Sequence, residues 1–191
     1  MEDLTGLQLM ERSAQLEVGA AQLLGQMQFE FARLDICVGL CAVWVDDGKN
    51  LNELTPKVEA MSFHKKLEFV EDAVERRVRN PSPTYAGYQA WFARAHAARL
   101  QRNELVHGRW GIDPMTNQVL NILGLPTSDG QRERRYSLAE LETVLAELKD
   151  LQYERTSTGL ALGPRTGQGH HPSRGPSTKP VVSAQLKRYA T

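Results

Sequence analysis

Cysteine is scarce in this chain: Cys37 and Cys41 are the only two among 191 residues, and they stand four apart in an apolar run. Two thiols cannot build a disulfide framework, and without a second ligand pair they do not make a zinc site. They read as small buried hydrophobes. Long apolar runs are missing as well. The longest, from Ile36 to Val45, lies between Asp35 and Asp46 and is too short to span a bilayer. The opening residues carry Glu2 and Asp3 where a leader would have a basic segment and then an apolar one, so no cleavable leader is expected. A cytoplasmic protein without a membrane partner is the expectation. No Gly-rich phosphate loop of the Walker type is present, and no pair of carboxylates joins a His at ligand spacing. Neither a metal nor a cofactor is expected.

Net charge is also absent, with 23 Lys plus Arg against 23 Asp plus Glu, but the balance is uneven along the chain. From Gly163 onward there are five basic residues (Arg165, Arg174, Lys179, Lys187 and Arg188) and no acidic one. Removing those five leaves 18 basic against 23 acidic residues, so a body of charge −5 carries a tail of charge +5. The tail is rich in Gly, Pro and Ser, a composition that buries too little apolar surface to order itself. Residues 163–191 are therefore expected to be a flexible basic tail, and 1–162 one helical domain.

What the body does have is helical periodicity. Leu16, Ala20, Leu23, Met27, Phe31, Leu34 and Val38 recur at spacings of three and four, which predicts one long helix from about residue 8 to 45. Asp46 to Asn50 reads as a turn, and either Thr55-Pro56 or Ser62 can begin the next helix. Phe63, Leu67, Val70, Val74 and Val78 give that helix its apolar face, and Pro81-Ser82-Pro83 ends it. A further helix is predicted from about Thr84 to His107, with Gly108 as a left-handed terminal residue. Between about 110 and 136 the pattern shortens, and 118–123 with 131–136 predict a small β-hairpin. Ser137-Leu138-Ala139-Glu140 is a capping box, Tyr136 and Leu141 supply its hydrophobic staple, and Leu141, Leu145, Leu148 and Leu151 continue the last helix. Four to five helices of an all-α bundle with one hairpin insertion follow.

The candidate chemistry sits at the end of the Thr84–His107 helix, in Arg102-Asn103-Glu104-Leu105-Val106-His107-Gly108. An Arg and a His five apart are expected by chance about 0.4 times in a chain of this composition, and requiring Asn after the Arg lowers that to roughly 0.01. The full motif, not the bare spacing, is what carries information. Asn103 and His107 share a helix face, about 40° apart, and Arg99 and His96 extend that polar stripe backwards. Glu104 reads as a structural partner for Arg109 or Arg99, and Trp91 and Trp110 as packing residues.

On these residues the chain resembles the HEPN family of α-helical ribonucleases and ribonuclease-like proteins, whose signature is Arg, four to six residues, then His, usually with Asn or another polar residue directly after the Arg. The resemblance covers roughly residues 10 to 110. It implies a homodimer whose two motif helices line one cleft, where RNA is cut without a metal. It assigns His107 to proton transfer, Arg102 to phosphate charge and Asn103 to orienting His107 or the phosphate, with His96 and Arg99 as substrate contacts. A nucleotidyltransferase-type antitoxin partner is a further implication, in a toxin or antiphage-defence setting. The physical logic is that RNA carries its own nucleophile, the 2′-hydroxyl, so cleavage needs a base, an acid and positive charge for the phosphorane. The competing expectation is a non-catalytic module of the same build that binds RNA or a protein.

Overall fold

Thr5 and Gln8 start the longest element. The Thr5 hydroxyl accepts from the Gln8 N–H at 3.4 Å and the Gln8 carboxamide oxygen accepts from the Thr5 N–H at 2.8 Å, a reciprocal capping box. From it α1 (Gly6–Val43) runs for 38 residues, about 57 Å at the rise of an α-helix. The computed structural model describes residues 4–78, 80–127 and 129–157. Four more helices follow: α2 (Leu51–Glu59), α3 (Phe63–Arg77), α4 (Pro83–His107) and α5 (Leu138–Ser157). The basic tail expected over 163–191 lies outside the described residues. Among the described residues no helix is long and apolar enough to cross a membrane.

The two alternatives for the second helix resolve into two elements. Ser62 caps α3, its hydroxyl accepting from the Lys65 N–H at 3.4 Å. The separate short α2 begins at Leu51 and holds Pro56 inside it. That proline is tolerated because the carbonyl it cannot serve belongs to exposed Asn52. Ser82 likewise caps α4, accepting from the Tyr85 N–H at 3.1 Å, and Pro83 occupies the first helical position, where no N–H is needed.

The expected hairpin forms as β2 (Gln118–Leu123) and β3 (Arg132–Tyr136), and a further strand, β1 (Arg109–Asp113), extends it to a three-stranded antiparallel sheet of order β1-β2-β3. β1 was not foreseen. It follows α4 with only Gly108 between, and Gly111 interrupts any apolar alternation, so nothing in its five residues announces a strand. The turn into β2 is built by Asp113, whose carboxylate accepts from the Met115 and Thr116 N–H groups at 3.1 and 3.2 Å, and by Asn117 in the left-handed region at φ 57°. Register pairs Val119 with Ile112 and Tyr136, and Asn121 with Trp110 and Arg134, so these residues share the face turned to the helices.

The core is a seam along α1. Met27 and Leu34 meet Leu67 and Val70 of α3, Phe92 of α4, and Leu141 and Leu151 of α5, all at most 2% exposed. Full burial contributes about 1.5–3 kcal/mol per side chain, whereas surface ion pairs contribute about 0–1, so the seam decides stability. Glu30 brings a carboxylate to this seam. Arg33 and the Gln152 side chain each donate to it at 2.6 Å, and Gln152 also donates to the Glu30 carbonyl at 3.0 Å, tying α5 to α1. α4 is held from the other side. The Trp91 indole N–H donates to the Leu151 carbonyl at 3.0 Å, and Arg94 pairs with Asp150 and Glu154. Packed on α3 and α5, α4 stands off α1, and a groove opens between those two helices.

The foreseen capping box at the start of α5 is formed: Ser137 donates to the Glu140 carboxylate from its N–H at 2.7 Å and its hydroxyl at 2.8 Å, and the Glu140 N–H returns a bond to that hydroxyl at 3.2 Å. Those bonds, the backbone one foremost, hold the Glu140 carboxyl below the ordinary glutamate value. A depressed folded-state value means that the contribution is present above the unfolded value and is lost as pH falls through the folded one. Glu140→Gln should therefore lose less melting temperature than the parent between about pH 5 and pH 3. Thermal melts across that range check it, and parallel acid limbs for the two proteins would refute the role of this cap.

Candidate functional site

The motif occupies the last turn of α4, and the sheet fixes that turn. A helix end leaves four carbonyls without intrahelical donors. The first two in this turn are satisfied: the Glu104 carbonyl accepts from the Gly108 N–H at 3.0 Å and the Asn121 side-chain amide at 3.2 Å, and the Leu105 carbonyl accepts from the Trp110 indole at 3.0 Å. Donors from β1 and β2 thus grip the helix end. Gly108 is not left-handed, as expected from sequence, but extended, at φ −77° and ψ 153°. The glycine is required for space instead. A Cβ here would lie 1.7 Å from Asn121 Oδ1, and Asn121 is 1% exposed and packed in place.

Two arginines face the groove beside this turn. Its main lobe, about 440 Å³, is lined by Arg99, Arg102 and Asn103 of α4 above Phe31, Met61 and Phe63. A second lobe of about 250 Å³ continues past Arg102 to Val106 and Trp110 on one side and Gly25 on the other. The groove also holds Asp35, but Lys66 pairs with it at 2.8 Å. Arg102 donates to Asn103 Oδ1 at 3.3 Å, and Arg99 Nε is buried without a hydrogen-bond partner among the described residues. Neither guanidinium meets a carboxylate there. Two cations without counter-charge over an apolar, partly aromatic floor suit an anion joined to a planar group, as in a nucleotide.

Compared with models of protein families, with curated proteins and with solved structures, the chain matches none.

The structure therefore brings Arg99, Arg102 and Asn103 together and leaves two expected residues apart from them. His107 is exposed on the final turn and makes no hydrogen bond to Arg102 or Asn103 among the described residues. His96 does not line the groove. It is half-buried between α3 and α4, edge-on to His64 with ring centres 5.6 Å apart, and its Nε2 lies 3.4 Å from Glu71. Glu104 takes neither Arg109 nor Arg99 as partner but Arg134 of β3, at 2.9 Å. Among the described residues no three His, Cys, Asp or Glu are grouped to hold a metal.

Asn121 and Arg134 are the residues that sequence reasoning missed. The signal for Asn121 was available: in Val119-Leu120-Asn121 it takes the same face as Val119, and an amide on a buried face must find a partner. For Arg134 there was none, since its contact depends on β3 pairing with β2 beside the helix end.

Gly108→Ala should cost about 1–3 kcal/mol, the range for forcing an extra carbon into a packed site. Adding Asn121→Ala in the same chain should recover part of that loss, because the atom that collides is gone. Urea unfolding of the four proteins in this cycle measures both effects. Strictly additive losses would show that the two residues do not contact each other.

Proposed function

We propose that the chain is a metal-independent endoribonuclease of the HEPN type, working in the cytoplasm as a homodimer. The observation that carries this reading is the groove itself, with Arg99 and Arg102 uncompensated along it, next to an exposed His on a clamped helix end. In this proposal the RNA backbone lies along the arginines and a base rests over the Phe31 and Phe63 rings. His107 takes the proton of the 2′-hydroxyl, the oxygen attacks the adjacent phosphorus, and a second His returns a proton to the departing 5′-oxygen. Arg102 stabilises the charge that gathers on the phosphorane oxygens, and Asn103 holds the Arg102 guanidinium in position. Cleavage yields a 2′,3′-cyclic phosphate and a free 5′-hydroxyl. Because His107 does not meet Arg102 within one protomer, the reading requires the second copy to supply the missing group. A nucleotidyltransferase-type antitoxin, in a toxin or defence pair, is the partner this class of nuclease implies.

A second reading is supported by the same separation. If no second copy completes the site, Arg99, Arg102 and the groove make a helical module that binds RNA or a protein without cutting.

His107→Ala should lower the rate of RNA cleavage in EDTA by about 10²–10⁴-fold while leaving the circular dichroism spectrum unchanged. Total RNA, with the product ends mapped, is the assay. Cyclic phosphate ends made only by the parent protein support the nuclease, and equal cleavage by both proteins contradicts it.

A further inference from the structure

Along α1 the side opposite the core is largely apolar too, with exposed Glu11 and Gln22 the polar residues in it. Leu7, Val18, Phe29, Ile36 and Leu40 are exposed there, Phe29 to 69% and Val18 to 67%, and exposed Ala14, Ala21, Gly25 and Ala32 lie between them. At 100° per residue these nine positions fall within an arc of about 100°, facing away from buried Leu16, Met27, Leu34 and Val38. A helix that is apolar on both sides is ordinarily covered on both. The strip from Leu7 to Leu40 is about 50 Å long and one helix about 10 Å wide, giving a footprint on the order of 500 Å² per partner. Doubled, that reaches the roughly 1,000 Å² of a specific interface.

We infer that the strip is covered by α1 of a second copy, packed antiparallel about a two-fold axis at Gly25. The order of residue sizes selects this occupant. Reflected through position 25, Phe29 falls opposite Ala21, Val18 opposite Ala32, and Ile36 opposite Ala14, so along the middle of the strip each large side chain meets an alanine, and toward the ends Leu40 falls opposite Met10 and Leu7 opposite Val43. Parallel pairing in register would set Phe29 on Phe29 and Ala21 on Ala21, leaving gaps beside collisions, which close-packed interfaces avoid. The centre is crossed by a glycine that the protomer does not need: a Cβ at Gly25 would meet nothing within 4 Å, yet glycine weakens a helix interior. Its absent side chain lets two helices approach closely. Gln22 and Gln28 flank that centre and fall opposite each other under the same reflection, amides that can both donate and accept, where like charges would repel.

This pairing stands on α1 alone and does not rest on the nuclease reading, but it bears on it. Gly25 and Gln28 form the edge of the groove that holds Arg102 and Val106. An axis at Gly25 therefore lays the two grooves, and the two motifs, on either side of itself.

The test measures mass and register on the full chain. The parent protein should sediment as a dimer, and Phe29→Glu should weaken association at least tenfold with its helical dichroism retained. In a Cys37→Ser background, Val18→Cys combined with Ala32→Cys should give a disulfide-linked dimer under mild oxidation. Val18→Cys alone should not, because the two copies of position 18 lie about 21 Å apart when α1 is antiparallel. A monomeric parent, a Phe29→Glu protein that still dimerises, or efficient linkage through Val18→Cys alone overturns the inference. RNA cleavage is no part of this readout, so an inactive dimer keeps the pairing and removes the nuclease, and an active monomer does the reverse.

Discussion

The contact between Asn121 and the bare Cα of Gly108 is the constraint on which the rest of the motif region depends. It joins the end of a 25-residue helix to the central strand of the sheet, and no side chain larger than hydrogen fits between them. Once Asn121 is seated, its amide reaches the Glu104 carbonyl, β1 departs in an extended direction, and the Trp110 indole falls on the Leu105 carbonyl. Arg134, opposite Asn121 in the register, is thereby brought to the Glu104 carboxylate. Each of these bonds alone contributes about 0.5–1.5 kcal/mol. Together they limit fraying in a turn that would otherwise loosen, and the proposed roles of His107 and Arg102 require that this turn be held in place.

The groove has a separate origin, in how α4 is suspended. Trp91 and Arg94 bind it to α5, the α3 seam holds its other flank, and neither attachment draws it onto α1. Phe31 closes the bottom of the gap, so the space stays open above an apolar floor. The polar residues of α4 that would be a solvated stripe on an isolated helix become the lining of a channel. Lys66 belongs to this arrangement as well, because it pairs with Asp35, the carboxylate that lines the groove with Arg99 and Arg102 among the described residues.

Most helices could be read from the sequence because their signals are local. The three-and-four spacing of Leu16 to Val38 and the Ser137 to Glu140 box each lie within one element, and both elements are found where they were expected. Thr5 and Gln8 carry the same kind of local signal for the start of α1. What could not be read depends on pairing at long range. β1 has no alternation of its own and exists because β2 is there to bond it. The extended Gly108 follows from Asn121, thirteen residues on, and the Glu104 partner comes from a strand thirty residues away. In the site, Arg99, Arg102 and Asn103 line the groove, while His96 belongs to the α3 contact. A wheel drawn on α4 places these residues on its surface but cannot say which neighbour each of them meets.

Hydrogen exchange at the Gly108 amide and the Trp110 indole N–H, compared between the parent protein and Asn121→Ala, tests directly whether the sheet holds the end of α4. If the sheet clamps the end of α4, both protons exchange slowly in the parent and at least about tenfold faster in the variant, as expected when a local opening becomes easier by some 1.4 kcal/mol. Fast exchange at both positions in the parent, or equal rates in the two proteins, would mean that the helix end frays despite Asn121 and that the motif is not held as described.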